Sequence, residues 1–112
     1  MQGSISLLVL NVVAAAALAT GRFVTTAGAV PAAAARVLGV TRTSAAAAGD
    51  LVPVDAVGTA IVEAGAAVAV GAAVETDSVG RAITLAAGVK CGHALSAASA
   101  AGQFIEVLLI AN

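Results

Sequence analysis

Residues 36–54 read RVLGVTRTSAAAAGDLVPV, and residues 89–107 read VKCGHALSAASAAGQFIEV. The two stretches align without a gap. Gly39 meets Gly92, Ala45 meets Ala98, Ala48 meets Ala101, Gly49 meets Gly102, Asp50 meets Gln103 and Val54 meets Val107. Each copy reads as a strand, a turn of small residues, a glycine and a second strand. Ser44 and Ser96 stand where a helix N-cap would fall, and Gly49 and Gly102 where a glycine would end a short helical turn. Two copies of one strand–turn–strand unit in so short a chain predict a small barrel or sandwich with internal pseudo-symmetry.

The glycines outside the echo extend this reading. From Gly28 onward they recur at short intervals, through Gly58, Gly65, Gly71, Gly80 and Gly88. The segments between them are too short for a stable helix of three turns, although alanine is the best helix former. They are rich in Val, Ile, Leu and Thr, which suit a pleated surface. Short strands are expected near 4–13, 22–26, 37–43, 50–57, 59–63, 73–76, 81–85, 90–95 and 103–110. The predicted class is therefore mostly β, a small β-barrel or β-sandwich of short strands with Gly-rich turns and one or two short helical turns. The 112 residues form a single expected domain, 1–112, with 1–20 as an apolar N-terminal strand or arm.

Composition narrows the function. The chain is 61% hydrophobic and 10% charged, with five Lys or Arg, six Asp or Glu and a formal net charge of −1. Ordinary soluble domains carry about 25% charged residues, so the surface must be unusually apolar and suited to contact with other molecules. Without a basic cluster, nucleic acid is not an expected partner. The apolar run at residues 5–19, ISLLVLNVVAAAALA, is too short to span a membrane. It has the core of a signal peptide and ends in Ala-Leu-Ala, but no Lys or Arg precedes it. Read as a cleaved signal with Thr20 as the new N-terminus, it makes the chain an exported or surface-associated Ala/Gly-rich protein. Read as a strand, residues 4–13 are apolar on both faces. Such a strand is either central to the core or covered on one side by a neighbour.

Catalytic chemistry finds few residues to work with. His93 is the single histidine, and Cys91, the single cysteine, precedes it by two positions. The pair could form a thiolate–imidazole couple, but no further Cys or His completes a metal site. Glu75 and Asp77 would share one face of a strand and form at most a weak cation site. Arg22, Arg36, Arg42 and Arg81 are isolated and read as ion-pair members or interface anchors. Residues 62–82, VEAGAAVAVGAAVETDSVGRA, have the cadence of lipoyl and biotinyl carrier hairpins, but Ser78 stands where the modified lysine would be. No catalytic, cofactor-binding or metal residues are assigned, and no cofactor is expected.

Taken in order, several phrases resemble the capsid cement, or head decoration, proteins of tailed bacteriophages. They are the opening apolar strand, GRFVTTAGAVPAAAARVLGVTRTSAAAAGDLVPVDAVGTAIVEAGAAV (21–68), VGAAVETDSVGRAI (70–83) and the closing GHALSAASAAGQFIEVLLIAN (92–112). Many such proteins have a longer insertion before the final strands, of which residues 86–90 are the remnant here. The resemblance implies a non-enzymatic virion protein made in the host cytoplasm and bound to the outer surface of the head. Its partners would be the major capsid protein, whose subunits it bridges, and further copies of itself, a trimer in preference to a dimer.

Overall fold

The structure is a computed structural model and describes residues 4–110. It contains eight strands and, among the described residues, no helix. They are β1 (Ser6–Val13), β2 (Phe23–Val24), β3 (Gly39–Thr41), β4 (Leu51–Glu63), β5 (Ala73–Thr76), β6 (Ala82–Thr84), β7 (Gly92–Ala94) and β8 (Phe104–Leu109). Their order in one sheet is β2-β3-β4-β8-β7-β5-β6, with β1 added on β4. A parallel bridge from Ala82 to Ala64, just past the end of β4, brings the far edge of the sheet back to its middle. The result is a nearly closed, barrel-like sheet in a body of 35 × 26 × 24 Å.

β4 organises the fold. Its first half pairs with β1 (Val12 with Val52) and β3 (Thr41 with Val54), and its second half pairs with β8 (Val62 with Ile105). The sequence predicts a break into two strands at Gly58. One strand instead continues through Gly58, with an irregular β1–β4 register there; Gly58 adopts φ 111°, which glycine tolerates, and an added Cβ would strike the Ile5 carbonyl.

The echo seen in the sequence is half of a larger repeat. Residues 14–24 correspond to 64–74, and residues 38–55 correspond to 91–108. The hydrogen bonds repeat in register. Ala14 N–H donates to Asp50 O (2.8 Å) and Ala64 N–H to Gln103 O (2.7 Å). Leu18 and Ala45 exchange a bond pair at 2.9 Å, as do Val68 and Ala98. Leu38 N–H donates to Val24 O, and Cys91 N–H to Val74 O, both at 2.8 Å. The pairs Val24–Gly39 and Val74–Gly92 are likewise equivalent. In this arrangement the second half of β4 is the second unit's counterpart of β1, and β8 is its counterpart of the first half of β4.

The cores repeat as well. One cluster contains Ala14, Leu18, Val24, Ala45, Val52 and Val54. Their counterparts Ala64, Val68, Val74, Ala98, Ile105 and Val107 all belong to the other cluster. Two residues of the first unit, Phe23 and Val40, also pack into that second cluster and join the two cores.

The alanine-rich turns are not helical. Residues 46–49 are closed by Asp50, whose Oδ2 accepts from the N–H groups of Ala46 (3.1 Å) and Ala47 (3.2 Å). Gln103 Oε1 accepts equivalently from Ser99 N–H at 2.7 Å. A three-residue run between a bridge and a glycine is too short to nucleate a helix, so a side-chain acceptor takes over. Ser96 is not a cap; its Oγ accepts from the N–H of Glu106 at 3.0 Å. The equivalent of Glu106 is Pro53, which has no N–H, and this allows a proline between β1 and β3.

Truncating Phe23, 1% exposed and the link between the cores, should cost about 3–5 kcal/mol. Chemical denaturation of Phe23→Ala should show this as one cooperative transition at lower denaturant.

Candidate contact surface

Cys91 and His93 do not form a reactive couple. Cys91 is 1% exposed within the second core, its Sγ donating to Val89 O at 3.5 Å. Burial pushes its thiol up to about 11, with Glu75 adding to the rise and a backbone hydrogen bond at Thr76 opposing it. The thiol is therefore neutral at physiological pH and a poor nucleophile. His93 is half-buried on β7, between Ala73 and Leu108 in the pairing register. Among the described residues, no hydrogen bond joins it to Cys91, and no three His, Cys, Asp or Glu residues gather as metal ligands would.

Glu75 and Asp77 also part company. Glu75 is buried and accepts from the Ala86 N–H, which ties β5 to the shortened loop after β6. Asp77 Oδ1 closes its own turn by accepting from Val79 N–H (3.0 Å) and Arg81 N–H (2.8 Å), and Oδ2 meets Arg81 Nε at 3.0 Å. The turn holding Ser78 is thus a compact, exposed corner.

Three of the four arginines form ion pairs. Arg22 of the first unit reaches Glu63 on β4 (3.0 Å) and the Val79 carbonyl (3.1 Å). Arg81 approaches Glu63 at 4.0 Å. Arg42 lies 3.8 Å from the buried Asp55 carboxylate and donates to Ser6 Oγ, which in turn donates to Asp55 at 2.6 Å. These charges face the junction between the units; Arg36 is exposed in the connection before β3.

Many of the larger apolar side chains lie outside. Along β1 and just before it, Ile5, Leu7, Leu8, Val9, Leu10 and Val13 are all exposed, with Leu7 at 73%. Leu51 and Val57 of β4 extend this surface, and Leu8 and Leu10 share a shallow groove with Val37, Leu38 and Val57. β1 is thus not a core strand. It rests on β4 along one edge and presents its apolar residues to the surroundings. Leu18 and Ala14, from the same apolar run, are buried in the first core. Cleavage after Ala19 would remove both along with β1. No helix among the described residues is long and apolar enough to cross a membrane.

The compact β scaffold thus presents a large apolar exterior and keeps its thiol buried and neutral. The phage cement protein model matches residues 3–109, and the chain belongs to that family of phage head structural proteins. No curated protein sequence matches it. Among solved structures, the crystal structure of the head fibre gp8.5 N base in bacteriophage phi29 has a similar fold. The TM-score is 0.74 over 92% of this chain and 93% of that one, at 18% identity.

Thiol labelling checks the state of Cys91. At pH 8 the folded protein should react with a maleimide far more slowly than the unfolded chain. Burial of the neutral thiol stabilises the fold fully below pH 9 and loses its effect as pH rises toward about 11, so the midpoint of unfolding should fall over that range.

Proposed function

We propose that this protein is a non-enzymatic cement subunit that binds the outer surface of the phage head and bridges neighbouring major capsid protein subunits. The observation that carries this reading is the exposed apolar strand β1 with Leu51 and Val57 beside it, on a chain of the phage cement family. Exposed apolar patches of this kind mark surfaces that become buried in an assembly. Pairing on an edge strand supplies main-chain hydrogen bonds, and alternate side chains supply selectivity.

The fold suits the task physically. Many side chains at its surface are small, so ordering them on binding costs little conformational entropy. A standard interface buries about 1,600 Å² in total, and repetition over a shell lets modest contacts resist internal pressure together. The protein acts as a single domain, with the apolar face of β1, in the arm 1–20, engaging its neighbours while Ala14 and Leu18 anchor the arm in the first core. It acts as a homo-oligomer, a trimer in preference to a dimer, and needs no cofactor or nucleic acid.

Heads assembled without this protein should release their DNA at lower temperature, or at lower chelator concentration, than decorated heads. Adding the purified protein back should restore resistance. Equal resistance of bare and decorated heads would overturn the bridging role.

A further inference from the structure

Each half of the tandem repeat has the same two faces, but within one chain only one face of each half is used. The second half of β4 has its free edge covered by the first unit. There the Glu63 N–H donates to the Gly21 carbonyl at 2.8 Å, and Arg22 pairs with the Glu63 side chain. Gly21 is buried so tightly that an added Cβ would lie 2.9 Å from the Phe104 ring and 3.4 Å from Ile61 O.

The corresponding faces at the two ends of the chain are open. β1, the counterpart of the covered half of β4, is exposed. The Ala14 N–H turns toward Asp50, so the N–H of Val13, the counterpart of Glu63, points away from β4 as that of Glu63 points away from β8, beside a Val13 carbonyl that packs against Gly28. At the other end, Gly71, the counterpart of Gly21, has nothing within 4 Å of the Cβ position, and Val70 beside it is 66% exposed.

Two substitutions then distinguish the used face from the open ones. Across the internal junction Arg22 meets Glu63. Their counterparts are Ala72 and Val13, both apolar. The ion pair of the used contact is thus replaced by an apolar residue on each open face, so the two open faces complement each other. A strand facing water gains nothing from such an exchange, whereas two apolar faces that meet need it.

We propose that β1 of one copy receives the 70–73 corner of a second copy, reproducing between chains the contact that the 20–23 corner makes with β4 within one. The occupant of the open edge is thus the second unit of another copy. The Val13 N–H meets the Gly71 carbonyl, and Val13 packs against Ala72. The contact is heterologous, joining chains head to tail. It continues the internal junction and deepens the oligomeric reading above, on which it rests.

Cross-linking tests this, with Cys91 replaced by Ala so that only introduced thiols react. Val13→Cys/Ala72→Cys should form a disulfide between chains under mild oxidation, and either single variant should not form that head-to-tail link. In light scattering, Val13→Glu and Ala72→Arg should each shift the wild-type oligomer toward monomer, with unchanged β-sheet circular dichroism. The double variant Val13→Glu/Ala72→Arg, which rebuilds the Arg22–Glu63 pair between chains, should recover the oligomer. A wild-type oligomer indifferent to both charges and unable to form the disulfide would overturn this interface and leave the oligomeric reading standing. A wild-type chain monomeric at all concentrations would overturn both. If Val13→Glu then abolished binding to heads, the capsid would be the occupant of the edge.

Discussion

The structure depends on one constraint: neither unit's core is large enough to stand alone. Six small side chains, the largest a leucine, make up the first cluster, and the second has their six counterparts at its centre. Domains this size fold only when enough apolar surface leaves the water, and alanine contributes little of it. The chain meets the constraint by fusing two such units through a continuous strand. β4 supplies Val52 and Val54 to one core and Ala60 and Val62 to the other, so one backbone ladder serves both. Phe23, contributed across the boundary, fills the second core where its own counterpart, Ala73, is too small to do so.

Close packing of so many small residues also brings backbones together. An added Cβ on Gly39 would strike the Asp55 carbonyl, and one on Gly92 would strike the equivalent Leu108 carbonyl. The interior is thus a lattice of main chain with Val and Ala between, and few of the Leu and Ile side chains are fully buried. Ile5, Leu7, Leu8 and Leu10, on or just before β1, lie exposed together with Leu51 and Leu108. Composition and function meet at this point, since an apolar exterior is costly to a solitary soluble protein and useful to one that works buried in an assembly.

Much of this is legible in the sequence because glycine spacing and β-branched content speak for themselves. All eight strands fall inside or across the expected segments, and the 36–54 and 89–107 echo marks equivalent turns and strands. The first part of the repeat is harder to read. Residues 14–24 and 64–74 share Ala14/Ala64, Gly21/Gly71 and Val24/Val74, but at a spacing of 50 residues where the later part has 53. The three-residue difference hides their common frame, and alanine matches carry little weight in an alanine-rich chain. Gly58 reads as a break because nothing local tells of the Ile5 backbone packed against it, beside which the strand continues through a positive-φ glycine. Serine at Ser44 and Ser96 suggests helix caps, whereas the acceptors that close the turns are Asp50 and Gln103, on the far side of each glycine. At the surface, nothing in the 4–13 pattern distinguishes a buried strand from an exposed one, because both are apolar on two faces. Only the pairing of β1 with β4 along a single edge decides it.

The apolar exterior is proposed as the capsid-binding surface. Cosedimentation of the purified protein with expanded, undecorated heads tests it most directly, with bound copies counted per capsomer. Saturable binding at a fixed ratio, set by the symmetry of the shell, is expected. Protein left in the supernatant at every concentration, or bound in proportion to concentration without saturation, would contradict it.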